Sequence, residues 1–297
     1  LTMAGRTSRR RRTHRGIGWV PALMAIVVLI ALIAAIATWI GRWGSRTPEP
    51  LLPPQGCMVT VEGFTSYLTW EQSGNAAIIV GESIRRGLPA RAATIALVTA
   101  YQESDLRNLD YGDLDSIGLF QQRPSQGWGT VEQIMDPWYS AGKFYERLVQ
   151  VPDWETGVIN DVAQAVQRSG FPDAYAQHEA KGRAWASALT GHSSAAVSCI
   201  DRHENLPDAA VLTDFIATVW GGAVGVTTSE VGALQLSTDS DITTWAAAQL
   251  SMLRGSPAGL TTLQAGAQQW ANSGTDYAVW QPASPAPAPV VVYLRTE

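Results

Sequence analysis

One carboxyl, that of Glu103, stands where acid chemistry is most readily built. It follows an apolar run, Ala90 to Tyr101, and opens Glu103-Ser104-Asp105-Leu106, which leads on to Gly118-Leu119-Phe120-Gln121. Ala92, Ile95, Ala96, Thr99 and Glu103 recur at helical spacing, which predicts a helix from Pro89 to about Ser104 with these residues on one stripe. A carboxyl at the end of a buried helix, facing a Gly- and Asp-rich loop, loses hydration in its charged form, so it can keep a proton at neutral pH. Protonating the leaving oxygen of a glycosidic bond needs such a group. A second carboxylate, as general base or electrostatic partner, would come from the loop that follows, where Asp110, Asp113 and Asp115 lie within chain reach. Alone, a Glu near a helix end is ordinarily a solvated surface residue, and loop aspartates ordinarily bond backbone amides in turns. The Gly-Leu-Phe-Gln segment downstream is what singles out Glu103.

Glu103-Ser104-x-Leu106 followed by Gly118-Leu119-Phe120-Gln121 resembles the catalytic segment of bacterial soluble lytic transglycosylases and goose-type lysozymes. There a helix-ending Glu-Ser is followed, eighteen positions after the Glu, by the Gln of a Gly-Leu-Met-Gln motif; Gln121 stands eighteen after Glu103. The resemblance covers roughly Trp70 to Leu189. More closely, the runs Gln102 to Asn108, Gly112 to Ser116 and Gln121 to Gly129 resemble a membrane-anchored or secreted group from high-GC Gram-positive bacteria. The resemblance implies a mainly α, lysozyme-like fold and no cofactor. It implies Glu103 as general acid, with Ser104, Gly118, Leu119 and Gln121 shaping a sugar site.

Two departures bear on the reaction. Gly112-Asp113-Leu114-Asp115-Ser116 replaces the family's Ser-x-x-Gly-Ala stretch and adds carboxylates beside the expected cleft. Asp113 or Asp115 positioning a water would give a hydrolase. Without either, Glu103 acts first as acid and then as base while the sugar's own hydroxyl closes an anhydro ring, as in a lytic transglycosylase. Downstream, the family's Ala-Tyr-Asn-Ala-Gly is replaced by Ala165 to Gly170, followed by Pro172 and Tyr175, which leaves Gln167 and Tyr175 as candidates to contact the acid or the sugar. Trp128, Trp138, Tyr139 and Tyr145 are candidates for stacking on sugar rings, although aromatic residues of a helical domain more commonly fill its core.

The elements that must carry this segment follow from composition and punctuation. The 297 residues are 46% hydrophobic and only 16% charged, and much of that imbalance lies in Ile17 to Ile40, which has no charged residue. A run of this length predicts a transmembrane helix over 17–40, longer than the core of a cleaved signal peptide. Arg6, Arg9, Arg10, Arg11, Arg12 and Arg15 precede it, placing residues 1–16 in the cytoplasm and the bulk of the chain outside the cell membrane. Net charge is −5, which argues against a nucleic-acid partner. Residues 41–56, with four prolines, read as a linker.

Residues 57–199 then form the lysozyme-like domain. Its first helix has Thr69 as N-cap with Gln72 completing a capping box, and Gly87 stops it. Further helices are expected over Pro137 to Val149, Trp154 to Ser169 and Pro172 to Leu189. Cys57 and Cys199, the only cysteines, bracket this domain, and a disulfide between them suits an oxidising compartment. Residues 200–297 read as a small α/β accessory domain, with a helix from Asp241 to about Leu253 and strands at Thr261 to Gln264 and Val290 to Tyr293. His14, His178, His192 and His203 lack metal-ligand spacing, so no metal is expected. The expected partners are peptidoglycan glycan strands, the cytoplasmic membrane, and an envelope or secretion apparatus. The alternative to an enzyme is a non-catalytic wall-binding or scaffold protein.

Overall fold

Leu, Ile, Val and Ala in unbroken succession favour a helix over any structure that leaves backbone amides unpaired, and Trp19–Gly44 forms one, α1. The computed structural model describes residues 19–44 and 52–296. Residues up to Leu51 and those from Leu52 onward are separate units. Among the described residues no helix is long and apolar enough to cross a membrane, which corrects the expected transmembrane helix. The arginines before α1 and residues 45–51 of the Pro-rich linker lie outside the described residues.

The second unit begins with strands where a helix was expected. Cys57, Val59 and Leu68 turn into the core from β1 (Gly56–Val61) and β2 (Phe64–Leu68). Glu62 (φ 50°) and Gly63 (φ 82°) join the pair, with Val61 opposite Phe64, so a two-residue turn with both φ positive sets the register. Helix α2 (Trp70–Arg85) follows, and Thr69 and Gln72 close the expected capping box. Helix α3 (Ala90–Ser104) is the spine of the unit, buried continuously from Ala92 to Tyr101. It ends at Asp105 in the left-handed conformation.

Thr130 caps α4 (Val131–Met135) and Asp136 caps α5 (Pro137–Leu148), which has Pro at its first turn. Helix α6 spans Ile159–Gln167 and α7 spans Glu179–Leu189, each shorter than expected at the N-terminal end. The side chain of Arg91 on α3 holds the turns before α6, donating to the carbonyls of Trp154 and Gly157. Gly182 lets α7 lie against α3: a Cβ there would sit 2.5 Å from Val98 Cγ2.

Strand β3 (Val197–Ile200) returns to pair with β1, giving an antiparallel sheet of order β2-β1-β3. Cys57 faces Cys199 in this register and the two are disulfide-bonded. The chain continues through α8 (Ala209–Trp220), β4 (Gly225–Thr228), β5 (Leu234–Ser237), α9 (Asp241–Leu253) and α10 (Gly255–Ala258). It ends with β6 (Leu260–Ala265), β7 (Gln268–Ala271), β8 (Gln281–Pro282) and β9 (Val290–Leu294). The second sheet is antiparallel throughout, with order β4-β5-β9-β6-β7-β8.

The expected fold class is therefore corrected. Among the described residues, 46% are helical and 16% are in strands that form two antiparallel sheets, so the fold is mixed α and β rather than mainly α. The stretches on either side of Cys199 also share one core. Gln249 on α9 is fully buried; its Oε1 accepts from the amides of Ala196 (2.9 Å) and Val197 (3.1 Å), and its Nε2 donates to the carbonyls of Ala188 (2.6 Å) and Ser193 (3.0 Å). Trp270 and Trp280 reach back to β3, donating from their indoles to Ser198 Oγ (3.0 Å) and the Val197 carbonyl (2.8 Å).

Candidate active site

Glu103 lies in the last turn of α3, half-buried, with the helix packed behind it and the chain turning sharply ahead. That turn places two non-glycine residues in succession at positive φ, Asp105 (54°) and Leu106 (57°). Such a backbone is costly unless the surroundings hold it. Here α2 does so: Gln72 Nε2 donates to the Asp105 carbonyl (2.8 Å) and Asn75 Nδ2 to the Leu106 carbonyl (2.8 Å). The capping glutamine of α2 thus also fixes the exit from α3.

Tyr175 Oη donates to Glu103 Oε1 at 2.6 Å, a short bond of the kind made to a carboxylate. Tyr175 is itself fully buried, just before a single helical turn at Ala176–His178. Asn160 on α6 positions that turn, accepting from the Ala176 amide (3.1 Å) and donating to the Pro172 carbonyl (2.9 Å). Burial raises the pKa of the Glu103 carboxyl above its ordinary value, and the hydrogen bonds from Tyr175 and Gln167 oppose this without cancelling it. Burial, and then the neighbouring Glu103, push the Tyr175 phenol far up, so it stays a donor.

Gln167 ends α6 and donates from Nε2 to the Phe120 carbonyl at 2.7 Å, tying the acid to the Gly-Leu-Phe-Gln loop. Its Oε1 is buried without a partner. With Gln121 it lines a groove of about 890 Å³ that continues past Trp128, Arg147, Val151 and Arg168. Glu103 is not in the groove wall; it stands behind Gln167.

The other expected site residues divide clearly. Gln121 (φ 46°) bends toward Gly112, donating weakly to the carbonyls of Tyr111 and Gly118, both at 3.3 Å. A Cβ on Gly112 would collide with Gln121 Oε1, so that glycine makes room for the side chain. Ser104 is buried and its hydroxyl donates to the Leu119 carbonyl (2.7 Å), which makes it a pin between helix and loop rather than a sugar ligand. Leu119 is fully buried and belongs to the core, not to a sugar-facing surface. Gly118 (φ 79°) passes against Ile134, whose carbonyl a Cβ would meet at 2.9 Å.

Asp113 is exposed. Asp115 is engaged otherwise: it accepts from Arg123 Nε (2.6 Å), the Ser125 amide (2.8 Å) and Ser125 Oγ (3.0 Å). The Arg123 and Ser125 bonds hold its carboxyl well below the usual carboxylate range. A carboxylate so acidic and so fully occupied makes a poor general base, and its place is the loop clamp.

Among the aromatic candidates, Tyr145 is fully buried and donates to the Ile79 carbonyl (2.9 Å), and Trp138 packs on Phe215. Tyr139 donates to the Trp128 carbonyl (3.2 Å). Trp128 does reach the groove, but the Arg147 guanidinium covers its ring at 3.4 Å from the centroid. The Arg123 clamp and this stacked arginine are groove features that the sequence did not reveal; Arg123 follows Asp115 by eight residues, but Arg147 lies on α5, nineteen residues beyond Trp128, with no local cue to the pairing. Among the described residues no group of His, Cys, Asp and Glu is arranged to hold a metal ion. No family model matches the chain, and no curated protein matches it.

Proposed function

We propose that this protein cleaves the β-1,4 linkage between the amino sugars of peptidoglycan, with Glu103 as the proton donor. The observation that carries this is the half-buried carboxyl of Glu103, with its pKa raised by burial and its oxygen held by Tyr175 at 2.6 Å, beside a long groove. The eighteen-residue spacing between Glu103 and Gln121 supports the same reading by resemblance. The disulfide favours action outside the cytoplasm.

The neighbours of Glu103 favour a mechanism with one carboxyl. Its carboxylate accepts from Tyr175, no second carboxylate acts on its pKa, and Asp115 is committed to Arg123 and Ser125. Glu103 gives its proton to the bridging oxygen as the bond from that oxygen to the sugar C1 breaks. The sugar's own C6 hydroxyl then attacks C1 and returns its proton to the Glu103 carboxylate, closing an anhydro ring without consuming water. Tyr175 stabilises the carboxylate formed between the two steps. Gln121, in the groove wall, offers its amide group to the sugar hydroxyls and acetamides, while Gln167 holds the Phe120 carbonyl beside it.

A glycan-binding protein without catalysis is the second reading, motivated by the position of Glu103 behind the groove wall. One experiment separates them. The chain is incubated with purified cell walls, and the soluble products are weighed by mass spectrometry. Cleavage releases muropeptides lighter by one water than hydrolytic products, and Glu103→Gln abolishes the release. Wall binding with no soluble product selects the second reading. Products at the hydrolytic mass retain the acid but replace the ring closure by water, with the exposed Asp113 as the base to test.

A further inference from the structure

Three arginines stand in the wall of the groove beside Glu103: Arg123, Arg147 and Arg168. The first is offset by Asp115, 2.6 Å away. Arg147 and Arg168 have no carboxylate partner among the described residues, although the chain carries a net charge of −5. Glu146, the acid in this wall, is taken by Lys143 (2.8 Å) and Arg86 (3.4 Å). The groove therefore keeps two uncompensated cations, and Arg168 directly follows Gln167, which ties the acid to the Gly-Leu-Phe-Gln loop.

Arg147 is held in place. Its guanidinium carbon lies 3.4 Å from the ring centroid of the buried Trp128, and Nη2 donates weakly to the Gln126 carbonyl at 3.3 Å. Stacking occupies the face of a guanidinium and leaves its in-plane N–H groups for an acceptor. The same contact covers the indole face on which a sugar ring would stack. Where a groove for neutral sugar would present an aromatic platform, this one presents a fixed cation.

Each of the two arginines ends a helix, α5 or α6, where a cation complements the dipole. That accounts for neither the stacking nor the convergence of both charges on one groove. Burial, and then the charge of Arg168, lower the Arg147 pKa, so the guanidiniums are near enough to repel each other. Arg168 also stands at φ 57°, a conformation glycine commonly takes at helix ends, so its side chain is kept at a conformational cost. An anion lying between the two would relieve the repulsion that the fold leaves unanswered.

We infer that Arg147 and Arg168 form an anionic subsite of this groove, which takes a carboxylate carried by the glycan strand. The inference rests on the glycan-cleaving reading and narrows its substrate to acidic strands. Peptidoglycan offers carboxylates from two sources, the lactyl group of a muramic residue without peptide and the stem peptide where one is attached. A planar carboxylate of either source accepts two parallel bonds from a guanidinium fork. A neutral amino-sugar polymer has no group to set against the pair, so the groove discriminates against it.

The test is a calorimetric titration of the full chain, carrying Glu103→Gln to stop turnover, with three probes of equal sugar number. They are a neutral N-acetylglucosamine oligomer, a peptide-free peptidoglycan strand with free lactyl carboxylates, and a strand bearing stem peptides. At least one acidic strand should bind roughly tenfold tighter than the neutral oligomer, as expected for hydrogen bonds between charged groups. The tighter of the two identifies the source of the carboxylate. Arg147→Met should remove the preference and leave affinity for the neutral oligomer unchanged. Arg168 is exposed, so Arg168→Gln preserves the fold and should reduce the preference in the same direction. If Arg147→Met does not fold, Arg168→Gln decides, and an unaltered preference there refutes the subsite. Equal affinity for all three probes, or an equal loss on all three in the variants, refutes the subsite while the glycan reading stands. Binding of none of them overturns both.

Discussion

Replacing Tyr175 by Phe removes one oxygen and little else, since the ring is fully buried and the hydroxyl donates to Glu103. A hydrogen bond to a charged group contributes about 1.5–3 kcal/mol, and losing one that favours the carboxylate raises the Glu103 pKa further. The direction is fixed: burial already disfavours the carboxylate, and the variant takes away a group that favours it. The assay is a pH titration of the side-chain carboxyl carbons in ¹³C-labelled protein, with the Glu103 signal identified by its absence in Glu103→Gln. It requires no substrate and so tests the electrostatics separately from the reaction. If the protein cleaves glycan, the alkaline limb of its rate profile moves up by the same amount. An unchanged or lowered Glu103 pKa in Tyr175→Phe would refute the reasoning.

Stability offers further checks. Because the folded-state pKa of Glu103 is raised, its contribution is fully present below the unfolded pKa and is lost as pH rises through the folded value; Glu103→Gln should thus be the more stable protein near neutral pH, with a flatter urea midpoint across pH 4–8. Replacing both Cys57 and Cys199 by Ala, which frees residues 142 apart in the chain, should cost about 4–5 kcal/mol in urea unfolding, and a loss below about 1 kcal/mol would contradict that estimate. Gln249→Leu strands two amides and two carbonyls at about 1–3 kcal/mol each, so unfolding should ease by at least about 3 kcal/mol. Faster hydrogen exchange at Ala196 and Val197 would accompany it, and native exchange there would count against the bonds.

How much of this was legible depended on the range over which each feature is decided. The Thr69–Gln72 box, the Pro89 start of α3 and the helix ending at Leu253 are local, written in residues three or four apart, and all are present, although Ser240 rather than Asp241 caps the last. The pairing of Cys57 with Cys199 was legible for a different reason: there are only two cysteines. Two strands were legible as well, Thr261 to Gln264 within β6 and Val290 to Tyr293 within β9, but the others were not. The Glu62-Gly63 turn flanked by Val61 and Phe64 is a hairpin cue, but its sheet is completed by β3, far along the chain, and the six-stranded sheet joins short segments out of sequence order. Within the site, the place of Glu103 followed from its helix. The partner carboxylates did not resolve that way, because Asp113 and Asp115 sit two residues apart in one loop and differ only in whether Arg123 and Ser125 reach them.

The bonds of Gln249 reach beyond stability. One side chain joins the end of α7, the loop after it and β3, and the tryptophans near the C-terminus brace that same strand. The stretch after Cys199 is therefore a buttress rather than a cassette that can be cut away or exchanged. A gene fusion with its junction near residue 200 would strip the inner sheet of its bracing, whereas grafting at the exposed Glu62-Gly63 tip disturbs only a turn. Natural rearrangements of such a chain should respect the same seam.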